Sequence, residues 1–269
     1  MSGRALVPTD LSAEHLLELR VAKALLESPR FAIRAANVIG APLERGIARL
    51  PAGWRDSILS ASRAALDRAA DVALWSVDAS RRRRANDLLH KVAVAATGAA
   101  GGAFGLSALA LELPLSTTVM LRSIADIAHA EGEDLRAPDA KLACLSVFTL
   151  GGRAASDDAG DAAYYIARVS LARAVSEAAQ HLMSKHAVKG AAPPLLHLMQ
   201  RIAGRFSLQV SEKFAVQALP VIGAAGGAWL NWLFIDHYQQ MARGHFTIRR
   251  LERLYGTQLI ESRYRACPP

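Results

Sequence analysis

The chain has 269 residues, of which 52% are hydrophobic and 21% charged, and its formal net charge is +8. These proportions exclude a chain that is disordered as a whole, and two distant cysteines, Cys144 and Cys267, argue against a disulfide framework. Aromatic residues make up only 6%, and alanine is abundant. Because alanine favours helices and alternating strand patterns are scarce, the composition predicts an all-α multi-helix bundle.

The N-terminal part of the chain carries predicted helices and no chemical motif. Asp10 is predicted to cap the first helix, and Ser28-Pro29 to end it. The predicted helices cover residues 11–27, 30–39, 42–50 and about 55–77. We treat residues 1–85 as an N-terminal helical segment. Since residues 1–4 lack the features of a secretory signal, we expect a cytoplasmic protein.

Two uncharged segments dominate the rest of the chain. Twenty residues between Lys91 and Glu112 carry no charge, and neither do twenty-two between Lys213 and Asp236. Both segments contain Ala-Ala-Gly-Gly-Ala, at 99–103 and 224–228. Their glycines recur at spacings that let helix backbones approach closely, and they are Gly98, Gly101, Gly102, Gly105, Gly223, Gly226 and Gly227. We therefore predict two central glycine-rich apolar helices.

Further helices are predicted between and after these segments. Pro114 is expected to break or kink the chain, and Gly256 to end the last helix. The predicted helices cover residues 116–130, 138–150, 157–185, 236–241 and 247–255. We assign residues 86–258 to a helical core and 259–269 to a tail, all within one compact domain.

The two apolar segments permit three interpretations. Each has the roughly 20 residues needed to cross a bilayer, but their Ala and Gly content also suits packing inside a soluble bundle or shallow membrane association. We favour peripheral association. Basic residues flank the segments and are expected to face anionic lipid, namely Arg81, Arg82, Arg83 and Arg84, with a second cluster at Arg243, Arg249, Arg250 and Arg253.

The chain lacks the standard spacings of hydrolase, zinc-protease and nucleotide-binding motifs, so no cofactor is predicted. Acids on or beside apolar segments are the candidate functional residues, namely Glu112, Asp126, Glu212 and Asp236. His129, one turn after Asp126, and His237 are weak metal-ligand candidates. The alternative is that these acids form salt bridges or cap helices, with Arg122 and Arg243 as possible partners.

Several motifs in one order resemble the EcsC family over roughly residues 40–258. They are Leu111-Glu112-Leu113-Pro114, Thr117-Thr118, Met120 to Asp126, Glu131-Gly132-Glu133-Asp134, Phe148 to Gly152, Ser211-Glu212-Lys213, Pro220 to Ala228 and His245 to Glu252. The resemblance implies a bacterial protein that acts at or near the cytoplasmic membrane, with transport or secretion machinery. It implies no catalytic residue.

Two main hypotheses follow. The first is a non-enzymatic accessory protein at an anionic membrane surface or in a membrane protein complex. The second is a metal-dependent or other hydrolase that uses the four acids around one cavity. Nucleic-acid binding through the net charge of +8 lacks any matching motif, so a nucleic-acid partner is not expected.

Overall fold

The computed structural model describes residues 10–27, 34–35, 37, 43–50, 52–75, 91, 109–151, 163–183, 193–218 and 224–267. Within these ranges every regular element is helical and no strand occurs, so the predicted all-α class is confirmed. The helices are α1 (Ala13–Leu26), α2 (Leu43–Ile47), α3 (Trp54–Trp75), α4 (Leu109–Ala130), α5 (Pro138–Ser146), α6 (Ala163–Met183), α7 (Pro193–Gln217), α8 (Ala224–Tyr255) and α9 (Thr257–Ala266). A 3-10 turn, Val147–Thr149, follows α5 directly.

The long helix α8 organises the bundle. Its 32 residues extend over about 48 Å at the usual helical rise. It packs against α1, α4, α7 and α9, while α3 packs against α4 and α7, and α6 against α7. Four aromatic rings from the 3-10 turn, α7 and α8 meet at the centre, with neighbouring centroids 5.0–6.2 Å apart, and they belong to Phe148, Phe206, Phe234 and Tyr238.

Local signals in the sequence explain several helix ends. Ser12, not the predicted Asp10, caps α1, since its hydroxyl accepts a hydrogen bond from the backbone N–H of His15 at 3.2 Å. Pro138 begins α5 as predicted. Gly256 separates α8 from α9 with a φ of 85°, a conformation in which glycine carries no steric penalty.

Pro114 lies inside α4 and does not break it, so the helix that we expected to begin at about residue 116 already begins at Leu109. The flanking side chains Leu113, Ser116, Thr117 and Met120 are all fully buried. The hydroxyl of Thr118 also donates to the Pro114 carbonyl at 2.7 Å. Tertiary packing along this face therefore outweighs the loss of one backbone hydrogen bond.

The second glycine-rich segment is not a single helix. It supplies the end of α7 and the beginning of α8, and α7 ends at Gln217 before Pro220. Residues 92–108 of the first glycine-rich segment lie outside the described residues, and α4 begins at Leu109. Among the helices that the structure describes, none is both long enough and apolar enough to cross a membrane.

The C-terminal helix α9 contributes to the core. Ile260 and Tyr264 are buried, and the Lys23 ammonium of α1 donates to the carbonyl of Cys267 at 2.7 Å. The region that the sequence assigns to a tail from residue 259 is thus packed against the bundle as far as Cys267.

Candidate functional site

A buried ion pair joins two of the motifs that carry the family resemblance. Glu112 lies near the start of α4 and Lys213 near the end of α7, and the Lys213 ammonium donates to Glu112 Oε1. The two residues are 4% and 1% exposed, respectively. The helical packing of α4 and α7 around α3 and α8 brings these groups together.

The surroundings of this pair are largely apolar. The Lys213 ammonium lies 5.3 Å from the ring centroid of Phe214 and 5.5 Å from that of Phe234, distances at which the ring faces stabilise a cation. Within the described part of the chain, Glu112 Oε2 and the hydroxyl of Thr117 make no hydrogen bond. A buried carboxylate with one unused oxygen depends strongly on its cation, so Lys213 is essential to keeping Glu112 in the core.

Asp236 belongs to a different group of charges. Its carboxylate accepts from the Lys91 ammonium at 2.5 Å and from the Gln240 amide at 2.7 Å, and it lies 3.5 Å from the Arg34 guanidinium. Lys91 also lies 5.3 Å from the Trp232 ring centroid. These contacts attach residues from the N-terminal half to α8. They agree with the alternative interpretation of the candidate acids, in which these acids form salt bridges.

The remaining predicted acids lie on α4 and α7. Asp126 and Glu212 are each partly buried, whereas His129 is exposed. Among the described residues, no group of three or more His, Cys, Asp and Glu side chains is placed to hold a metal ion.

His237 is fully buried beside a glycine. Burial, together with the charge of Arg34, lowers its pKa to about 4, while Asp236 acts weakly in the opposite direction. Gly151 has a φ of 70°, and a Cβ at this position would overlap the imidazole of His237. A neutral imidazole thus packs directly against the turn that follows α5.

Part of the predicted site falls outside the described residues. This applies to the basic run Arg81, Arg82, Arg83 and Arg84 and to the glycines Gly98, Gly101, Gly102, Gly105 and Gly223. Gly226 and Gly227 lie in the first turn of α8, where Gly227 is buried. The expected close packing of helix backbones at these glycines stays a prediction.

A second charged cluster joins two further motifs and was missed by sequence reasoning. Arg249 binds Glu133 through two hydrogen bonds of 2.8 and 3.1 Å, and Arg253 also donates to Glu133. Arg250 bridges Glu131 at 2.7 Å and Glu18 at 2.9 Å. Three arginines that we expected to face lipid are therefore compensated by carboxylates, which disfavours that interpretation.

The electrostatics of Glu133 follow from this pairing. Burial opposes its ionisation, but hydrogen bonds and charge from Arg249 and Arg253 outweigh burial and lower its pKa. The signal in the sequence was the pair of motifs Glu131 to Asp134 and His245 to Glu252. Their opposite charges indicate contact, although composition alone does not specify which residues meet.

A third feature is an outward surface formed by α6 and α7, which we call the α6–α7 face. Arg201 donates to the carbonyl of Ser170 at 2.9 Å, and Arg205 donates to the Ser170 hydroxyl at 3.4 Å. Further along α6, Arg173 and Glu177 line a cleft with Arg201 and His197, so the helices run antiparallel. The α6–α7 face comprises Ile166, Val169, Arg173, Arg201, Arg205 and Leu208.

Exposed aliphatic side chains and arginines alternate on this face. Val169 is 72% exposed, Leu208 56% and Ile166 51%. Residues 166, 169 and 173 share one side of α6, and residues 201, 205 and 208 share one side of α7, because each set follows the helical repeat. Within the part of the chain that the structure describes, the result is an exposed apolar surface with cationic side chains among its apolar residues.

The described residues thus form an all-α bundle with a buried ion pair in its core, a partly buried cluster of arginines and carboxylates, and an amphipathic outer face. The model of the EcsC protein family matches residues 38–251, which is most of the chain. The chain therefore belongs to the EcsC family, as its motifs indicated. No curated protein and no solved structure matches it.

Proposed function

We propose that the protein is a non-enzymatic accessory factor that binds peripherally to the anionic surface of the cytoplasmic membrane through the α6–α7 face, and that it serves transport or secretion machinery there. The observation that carries this proposal is the alternation of exposed Ile166, Val169 and Leu208 with arginines. The link to transport machinery rests on the EcsC resemblance.

The chemistry of the face fits a membrane interface. Aliphatic side chains that enter the boundary between headgroups and acyl chains gain free energy from leaving water. Each arginine near an anionic leaflet adds on the order of 1 kcal/mol, and its aliphatic stem lies along the apolar surface while its guanidinium reaches phosphate. Arg81 to Arg84 are expected to add to this attraction.

The positions of the acids support a role without catalysis. Glu112 pairs with Lys213, and Asp236 with Lys91 and Arg34, so these two carboxylates serve separate ion pairs. Such pairs hold helices in register. They support a rigid protein that binds through its surface better than they support an enzyme with four acids around one cavity.

Vesicle co-sedimentation tests the proposal. We expect the protein to bind mixed phosphatidylcholine–phosphatidylglycerol vesicles and to bind pure phosphatidylcholine vesicles weakly. Val169→Asp is expected to lower the affinity for the mixed vesicles about tenfold or more, because a carboxylate in the contact both removes apolar area and repels the lipid.

Val21→Asp is the matched control. Val21 is 53% exposed on α1, which packs against α8. This variant should bind like the wild type, and circular dichroism should show that both variants are folded. Failure of the wild type to bind anionic vesicles, or equal losses in the two variants, would overturn the proposal.

A further inference from the structure

A cleft of about 230 Å³ opens within the α6–α7 face and is lined by Arg173, Ala174, Glu177, His197 and Arg201. We propose that this cleft binds the phosphate monoester of a lipid headgroup, such as that of phosphatidic acid. This inference rests on the membrane binding proposed above and identifies the lipid class that the face selects.

Arg201 is held in place for such a ligand. Its Nη1 donates to the Ser170 carbonyl at 2.9 Å, and its Nε donates to His197 Nε2 at 3.3 Å. Because a guanidinium has five N–H donors, these two bonds leave others for a ligand. Fixing the arginine in advance lowers the entropic cost of binding an anion.

His197 supplies a further donor. Since its Nε2 accepts from Arg201, the hydrogen-bond network assigns the proton to Nδ1 in the neutral ring. The Nδ1–H group is therefore a donor for a phosphate oxygen.

Arg173 and Glu177 control the strength of the site. Arg173 Nε donates to Glu177 at 2.7 Å, in a pair on one helix that is largely exposed to solvent. The two terminal nitrogens of Arg173 make no hydrogen bond within the described residues. An exposed pair of this kind is weak, so a dianion displaces Glu177 from Arg173 at low cost.

The donors match a phosphate monoester better than other anions of the membrane. A monoester presents three terminal oxygens and carries up to two negative charges, whereas a phosphodiester presents two such oxygens and one charge. Two guanidinium groups and one imidazole provide donors for all three oxygens. The exposed Val169, one helical turn before Arg173 on α6, would hold the cleft at headgroup depth.

The test compares vesicles that contain phosphatidic acid with phosphatidylglycerol vesicles of the same surface potential. The wild type should bind the phosphatidic acid vesicles about tenfold more tightly, the factor expected from one additional charge-assisted hydrogen bond. Arg201→Ala should lose this preference: its affinity for phosphatidylglycerol vesicles should fall only about fivefold, the contribution of one arginine at an anionic surface, and its affinity for phosphatidic acid vesicles should fall further, to the same value. Glu177→Gln should increase the preference, an effect that loss of folding cannot produce.

Arg122→Ala, at an exposed position of α4, is the control and should retain the wild-type preference. Equal binding of the wild type to both anionic vesicles would overturn this inference and leave the proposed function standing. Absence of binding to either vesicle would overturn the proposed function as well. Saturable binding of glycerol 3-phosphate in solution, without a vesicle preference, would overturn the assignment to a lipid.

Discussion

Lys213 and Glu112 form an ion pair in the core of the bundle although 101 residues separate them in sequence. The carboxylate is held between apolar helices and has one oxygen without a hydrogen bond in the described part of the chain. Removing water from two charges costs several kcal/mol for each ion, which only the attraction between them offsets. The pair therefore specifies how α4 and α7 align, and each residue depends on the other.

Replacing Lys213 with methionine should strongly destabilise the protein. Lys213→Met leaves Glu112 as an uncompensated buried charge, so we expect the free energy of unfolding to fall by about 3–5 kcal/mol. Urea unfolding followed by circular dichroism measures this change.

The double variant Glu112→Met/Lys213→Met shows whether the stability lost in Lys213→Met comes from the unpaired charge of Glu112 or from changed packing around residue 213. Removing both charges should recover most of the lost stability, because methionine fits the apolar surroundings. Arg122→Met, at an exposed site of α4, should change the stability by less than about 0.5 kcal/mol. A double variant as unstable as the sum of its single variants would show that the two residues are not coupled.

The turn after α5 provides a second test. Gly151→Ala places a non-glycine residue at a φ of 70° and drives its Cβ into His237. The backbone conformation costs about 1–2 kcal/mol, and overpacking adds about 1–3 kcal/mol, so thermal or urea unfolding should show a loss of about 3 kcal/mol.

Gly53→Ala is the matched control for this variant. Gly53 has a similar φ of 75°, but a Cβ there meets nothing within 4 Å. It should therefore show the backbone cost alone. Equal losses of stability in the two variants would mean that the side chain of His237 moves away from the added methyl group at little cost.

The fold class and the family were predictable, whereas the ionic contacts were not. Alanine content, Pro138 and Gly256 indicate helices and their ends because these are local properties of the chain. The sequence indicates Glu112 as a candidate acid but does not indicate Lys213 as its partner, since the packing of distant helices decides which charges meet. The local preference of Pro114 predicts a break for a related reason, because it does not include the buried packing along α4.

Buried histidine should make the protein less stable at acidic pH. Burial and the charge of Arg34 lower the pKa of His237 to about 4, whereas an unfolded histidine titrates near 6.5. Between these values the unfolded chain binds more protons, so stability falls as the pH decreases from 6.5 to 4. The shift corresponds to about 3 kcal/mol over that interval.

His237→Leu should flatten this part of the stability profile, measured as urea unfolding at a series of pH values. Some dependence should remain, because burial also lowers the pKa of His245. His129→Leu, at an exposed position of α4, tests whether loss of any histidine gives the same change. An unchanged slope in His237→Leu would show that the imidazole becomes protonated without opening the core.

The contact between Glu133 and Arg249 should stabilise the protein more than an exposed ion pair does. Arg249→Met removes two hydrogen bonds from a buried carboxylate and leaves Arg253 as its remaining cation, so we expect a loss of about 2 kcal/mol at neutral pH. Arg265→Met is the control, because Arg265 pairs with Glu261 on an exposed helix surface and should contribute less than about 1 kcal/mol.

The contribution of this contact should depend on pH. The pKa of Glu133 is lower in the folded state than its unfolded value near 4.5, so its ionisation stabilises the folded state at pH values above 4.5. This stabilisation is lost as the pH falls through the folded pKa. The difference between Arg249→Met and the wild type should therefore narrow in acid, and a constant difference across the pH range would assign the loss to packing of the arginine stem instead.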